Sequence, residues 1–222
     1  MPTTDSDGPN PNAPRSRKGA QTRARLLDAA KAVFEETGFL EARISDIAEK
    51  AGLSHGSFYH YFDSKEQIFR EVAETQEAHL TAPAEDGHDD DQPTEFERLR
   101  RANRRYLERY RDNGRIMGVI EEVSRYDAHV GAARMRRHKH FADRAERSIR
   151  RLQEAGAADP GVDPELAALA LGSMVARVAE LWLVEGWGDY DVDTVTDELT
   201  RLWANAIGLQ PPTAKKRRSR GR

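Results

Sequence analysis

The chain contains no cysteine, which excludes disulfides, thiolate metal sites and cysteine nucleophiles together. That absence fits a cytoplasmic protein, and the cytoplasm is the expected location. There is also no window of about 18 consecutive apolar residues of the kind that crosses a bilayer, so no membrane partner is expected. The opening stretch, MPTTDSDGPNPNAPRSRKGA, has no apolar segment after its charges and does not read as a secretory signal. Residues 1–18 are expected to form a disordered leader. Convincing runs of alternating β-type residues are missing as well, which points to an all-α chain.

Aromatic residues are scarce, at 7% of 222 residues. Their distribution is uneven, because Phe58, Tyr59, Tyr61 and Phe62 crowd into GLSHGSFYHYFDSKEQIF, residues 52–69. The net charge of −3 is also misleading. The closing KKRRSRGR carries six basic and no acidic side chains and leaves −9 on the remainder. A polyanionic partner must therefore be met by local patches and not by a global field.

What is present is helical periodicity. Leu26, Leu27, Ala30, Val33 and Phe34 recur at helical spacing until Gly38 stops the run. A short second helix is predicted over 44–50, ending at Ala51-Gly52-Leu53, where glycine makes a tight turn with positive φ easiest. Ser54 offers an N-cap for a third helix running to about Tyr61, and Ser64 one for a fourth. The stretch TAPAEDGHDDDQP, residues 81–93, is rich in Asp, Pro and Gly and reads as a linker. Beyond it, Thr94 and Glu97 form a capping box, Asn113-Gly114 ends that helix, and helical patterns resume over 117–123 and 127–156. Asp163-Pro164 sets an N-cap and an N1 proline before a long apolar helix, and a last helix is predicted over 193–207.

The expected architecture is all-α: an N-terminal three-helix helix-turn-helix DNA-binding domain and a larger C-terminal helical bundle for ligand binding and dimerisation. The expected boundaries are 19–65 for the first domain, 66–80 for a connecting helix, 81–93 for an acidic linker, 94–208 for the second domain and 209–222 for a basic tail.

Two short helices joined by a glycine-containing turn, the second opening on small polar residues, follow the arithmetic of a helix-turn-helix. Phe58 and Phe62 lie one turn apart and can anchor the third helix. His55, Ser57, Tyr59 and His60 are left on its other faces. Short donors at a helix start reach base edges, and tyrosine or lysine groups reach phosphates. Lys65 is poorly placed for the macrodipole in the first turn of its helix, and a phosphate partner would explain it. The same rings also suit the core of an ordinary small bundle, so spacing alone leaves both readings open.

The run RLLDAAKAVFEETGF followed by DIAEKAGLSHGSFYHYFDSKEQIF resembles the DNA-binding domain of the tetracycline-repressor (TetR) family of transcriptional regulators, over about residues 17–68. The resemblance implies that Ser54 caps a recognition helix and that His55, Gly56 and Ser57 lie at its base-reading start. It implies that Tyr59 touches DNA and that His60, Tyr61 and Lys65 contact the DNA backbone. Two slots depart from the family pattern: Arg43 and Ser45 stand where threonine and a longer polar residue are usual. Ser45 would then cap a later helix start, or Arg43 reach a phosphate. Tyr61 also replaces the histidine common at its position.

In the C-terminal half the resemblance extends only to architecture. Met117, Tyr126, Phe141 and Trp182 fall on or beside apolar faces; they serve as packing or, as the resemblance suggests, line an apolar or amphipathic effector site. The helices opening at Asp163 and Asp193 are apolar over more than one stripe, which a homodimer would bury. Arg15, Arg17 and Lys18 are either a DNA-directed arm or a solvated leader, and the basic tail either adds DNA affinity or only solvates. Glu85 and His88 supply one Glu-x-x-His spacing where metal-bundle enzymes need two, so neither a metal nor a cofactor is expected. The expected protein is a ligand-responsive regulator, most simply a repressor, and not an enzyme. Its partners would be a double-stranded DNA operator, a small-molecule effector and a second copy of itself. The alternatives are a helical-bundle enzyme and a protein-interaction module without DNA binding.

Overall fold

A computed structural model describes residues 17–83 and 93–209. Among the described residues the secondary structure is helical throughout: α1 (Arg17–Glu41), α2 (Ile44–Lys50), α3 (His55–Phe58), α4 (Lys65–Thr81), α5 (Glu95–Asp112), α6 (Gly114–Val123), α7 (Ala128–Glu154), α8 (Pro164–Leu183) and α9 (Val192–Ala206). The chain forms two compact units. Among the described residues, one comprises 17–77 with Arg115–Ala133; the other comprises 78–83, 93–114 and 134–209.

In the first unit the apolar stripe of α1 is buried through Leu26, Ala30, Val33 and Phe34. Gly38, at φ 77° and ψ 176°, breaks the helix there, and one further turn follows. That kink carries Phe39 to Phe69 of α4, with ring centroids 4.9 Å apart. Phe34 meets the same ring edge-on at 4.9 Å. Burying each of these rings contributes about 1.5–3 kcal/mol, so the cluster fixes α1 against α4. Arg23 of α1 also pairs with Glu71 of α4, and its guanidinium lies 4.7 Å from the centre of the Phe62 ring.

The start of α7 closes onto α4 in the same unit. Asp127 accepts hydrogen bonds from the backbone N–H of His129 and of Val130, each at 3.0 Å, and so caps α7. Its other oxygen accepts from Arg70 Nε at 3.0 Å and Nη2 at 2.8 Å. Burial alone would raise the Asp127 carboxyl; the Arg70 hydrogen bond and charge and the two backbone donors outweigh it and hold the group below its ordinary value.

In the second unit, α5 begins with the capping box read from the sequence, Glu97 N–H donating to Thr94 Oγ1 and Thr94 N–H to Glu97 Oε2. It packs against α8 and α9. Asn103 is buried there and donates to Thr200 Oγ1 at 3.1 Å, and Arg100 reaches Asp197 at 2.5 Å. Asp163 caps α8, accepting from Leu166 N–H at 2.8 Å, with Pro164 at the first helical position. By length and composition α8 is apolar enough to cross a membrane. It also carries Glu165, Arg177 and Glu180, the last two ion-paired at 2.5 Å.

Candidate nucleic-acid interface

The helix α2 ends in Ala51 and Gly52. Gly52, at φ 66°, makes the left-handed turn that a side chain would resist. Arg25 of α1 holds this turn by donating to the Ala51 carbonyl. A Cβ on Gly52 would stand 3.0 Å from the Arg25 guanidinium, which the flexible arginine can yield, so it is the backbone conformation that calls for glycine. The helix α3 then opens at Ser54, whose Oγ accepts from Ser57 N–H at 3.2 Å and lies 2.7 Å from Ser57 Oγ. The helix proper is only four residues long, and turns carry the chain on to Tyr61.

Phe58 and Phe62 are fully buried and lie 5.8 Å apart, ring to ring. Opposite them, Ser54, His55, Gly56, Tyr59 and His60 are exposed, while Ser57 and Tyr61 are half-buried. The Tyr59 ring is 47% exposed. It stands edge-on to His55 at 5.4 Å, which gives the two side chains one shared outward surface. Nothing lies within 4 Å of the point where a Cβ on Gly56 would be.

Arg43 occupies the N-cap position of α2 without a capping side-chain bond. Ser45 donates instead to Asp46 Oδ1 at 3.0 Å, so α2 starts at Ile44 and not later. Both residues are exposed. Lys65 has internal partners: its ammonium donates to the carbonyls of Phe39 at 2.8 Å, Leu40 at 3.0 Å and Ala42 at 2.9 Å. It also lies 4.7 Å from the centre of the Phe39 ring. Its place in the first turn of α4, which the sequence left a phosphate to explain, is explained by the loose carbonyls at the end of α1. Arg17 and Lys18 form the first turn of α1; Arg15, the basic tail, Glu85 and His88 lie outside the described residues.

The second unit contains a cavity of about 730 Å³, within the range that holds small ligands, walled mainly by α5, α7 and α8 and floored by Trp203. Phe141 lines it, and its ring meets Tyr106 edge-on at 5.4 Å. The other three residues read as ligand contacts lie elsewhere. Met117 is buried in α6 and Tyr126 is 60% exposed, both in the first unit. Trp182 is half-buried on α8 and does not line the cavity. Apart from Phe141, the walls contributed by α5 and the middle of α7, both crowded with arginine and other charged residues, were not read as ligand contacts. His138 lines the cavity and is held well below its ordinary 6.5, at about 4, by burial first and then by the charges of Arg137 and Arg134, against a pull from Glu180.

A short helix anchored by two buried phenylalanines, led in by a glycine turn and presenting small polar and aromatic groups outward, defines a helix-turn-helix domain. Residues 26–72 match the family model described as bacterial regulatory proteins, tetR family, so the helix-turn-helix region of this chain is similar to that family's. It is a family of regulators and not of enzymes. YdgC of Bacillus subtilis, an uncharacterised helix-turn-helix transcriptional regulator, is 51% identical over 55 residues, 25% of this chain and 28% of YdgC. The repressor KstR2 of Rhodococcus jostii is 46% identical over 50 residues, 22% of this chain and 24% of KstR2. The match thus spans about a quarter of these curated relatives' length. Solved structures extend the likeness in fold. SmeT, the repressor of a Stenotrophomonas maltophilia multidrug efflux pump, superposes with a TM-score of 0.66 at 24% identity, over 86% of this chain and 94% of SmeT. FadR of Bacillus subtilis, solved with stearoyl-CoA, gives 0.63 at 18% identity, over 83% and 98%.

Proposed function

We propose that the protein is a ligand-responsive transcriptional regulator, most simply a repressor, which binds a pseudo-palindromic operator as a homodimer and is released by a small apolar or amphipathic effector. The observation that carries this reading is the division of residues 54–62. Phe58 and Phe62 are sealed inside, while Ser54, His55, Gly56, Tyr59 and His60 face outward. His55, Gly56, Ser57 and Tyr59 meet base edges and groove walls, with His60, Tyr61 and Arg43 on phosphates and Ser45 beside them. Lys65 acts by holding the end of α1 in place.

Support for the homodimer comes from Leu166 and Leu169 on α8 and Leu202 on α9, which are 66%, 56% and 53% exposed. A second copy covering them supplies the two-fold relation that a palindromic operator requires. Support for an effector comes from the cavity, and from relatives named as a repressor of an efflux pump and as a regulator solved with an acyl thioester. Such an effector regulates only through different affinities for the bound and released states. With DNA as its target the protein works in the cytoplasm.

The test is salt-dependent binding to the intergenic DNA beside its own coding sequence. Binding should weaken steeply with salt, and Tyr59→Ala should reduce it at least tenfold without lowering stability. Intact binding by Tyr59→Ala, or a monomer by light scattering with no DNA affinity, would favour a protein-interaction module instead.

A further inference from the structure

The cavity of the second unit is not electrically neutral, and its charges are unevenly compensated. Three of its carboxylates have cationic neighbours: Glu95 has Arg98, Asp143 has Lys139 at 3.2 Å, and Glu146 has Arg150 at 2.7 Å. The fourth, Glu165, sits in the first turn of α8, where the helix N-terminus favours a negative charge. The arginines of the wall are served differently. Arg109 donates to two carbonyls, of Ala82 at 2.6 Å and Pro83 at 3.2 Å. Arg151 reaches only the Ser148 hydroxyl, at 3.5 Å. Arg144 makes no ion pair among the described residues.

Arg144, Ser148 and Arg151 recur at one-turn spacing along α7 and all line the cavity. They give it one cationic and hydroxyl-bearing strip. The rest of the wall mixes partnered charged groups with apolar surface, with Tyr106, Phe141 and Trp203 among its rings and Met135, 67% exposed, at its side. Chemistry that satisfies both parts has an aliphatic body and an anionic end. A cationic amphiphile meets uncompensated arginines, and a neutral one leaves them to solvent.

We propose that the effector is an anionic amphiphile, an aliphatic chain ending in a carboxylate or phosphate, with its head on Arg144 and Arg151 and its chain against Phe141 and Trp203. This rests on reading the cavity as the effector site. Guanidinium is suited to either head, because its planar fork binds both carboxylate and phosphate through paired N–H donors.

The experiment is isothermal titration of the full-length protein with decanoate, decyl phosphate, 1-decanol and decyltrimethylammonium, each below its aggregation limit. Both anions should bind at least tenfold tighter than the alcohol, and the cation weakest. The double substitution Arg144→Gln, Arg151→Gln should cost the anions about tenfold, as expected for lost charge-assisted bonds, and leave the alcohol unchanged. These side chains are exposed or at the cavity wall, and circular dichroism verifies that the variant stays folded. Tighter binding of decyl phosphate points to a phosphate-bearing carrier as the natural head, tighter decanoate to a free acid; either sustains the proposal. Equal binding of alcohol and anions, preference for the cation, anion binding untouched by the double substitution, or no binding by folded protein would each overturn it. A parallel gel shift separates the two readings. Anions that bind without releasing DNA leave the cavity assignment standing and remove the regulatory one. DNA released by another ligand class does the reverse.

Discussion

Gly56 separates a structural requirement from the functional one proposed for it. Unlike Gly52, whose positive φ favours glycine, Gly56 has an ordinary φ and faces open space. Alanine is the better helix former by roughly 0.5–1 kcal/mol, so folding alone gives no reason for glycine here. The proposed approach of a duplex to the start of α3 would give one. Gly56→Ala is therefore expected to leave thermal stability unchanged or slightly raised, while DNA affinity at fixed salt falls at least tenfold. Retained affinity would mean that the backbone at this point does not approach DNA closely. Lys65 shows the opposite case: its charge lies in the same stretch of sequence, yet its three donors are engaged by Phe39, Leu40 and Ala42. Its nearness in sequence to the proposed recognition helix therefore does not leave its ammonium without internal partners.

At the scale of elements, one of the carboxylates that link α4 and α7 has two duties. Asp127 caps α7 and holds Arg70 of α4, and the side chain of Asp127 is 11% exposed against 44% for Arg70. Asp127→Asn keeps a capping oxygen and loses the charge, so chemical denaturation should show a loss of about 0.5–1 kcal/mol, the scale of a pair whose arginine stays solvated. Asp127→Ala also removes the cap and should cost about 1 kcal/mol more. Equal losses for the two variants would mean that the cap contributes nothing. Local devices of this kind were legible in the sequence wherever their parts are close together. The span of α2, the glycine stops at 38 and 52, the Thr94–Glu97 box and the Asp163-Pro164 start all follow from spacings of a few residues. The brevity of α3 was not legible, because its capping signal is the same for four residues as for eight. Nor was the cavity wall: periodicity says which face of a helix turns inward, but not which other helix meets it. Phe141 thus reaches the cavity while Met117, equally apolar, is packed in the other unit.

On the scale of the whole molecule, His138 is an ionisable group kept neutral by its surroundings. Burial and the charges of Arg134 and Arg137 on its own helix hold it at about 4, with Glu180 of α8 pulling the other way. Above the ordinary value of 6.5 the ring is neutral in both folded and unfolded chains, so it makes no difference to stability there. As pH falls from 6.5 toward 4, the unfolded chain takes up the proton and the folded one does not. Stability therefore drops across that window and levels off below it. Because the ring is only partly withdrawn from solvent, the loss should be about 1 kcal/mol and not the full value of the shift. Urea denaturation at stepped pH, comparing the native protein with His138→Gln, isolates this contribution from that of the carboxylates titrating nearby. The native protein should show the steeper fall between neutral pH and the folded-state value, and the two curves should run parallel above the ordinary histidine range. Parallel curves throughout the window would mean that His138 takes up its proton in the folded cavity as readily as in water. The cavity would then gain positive charge on mild acidification, and anion affinity would rise with it.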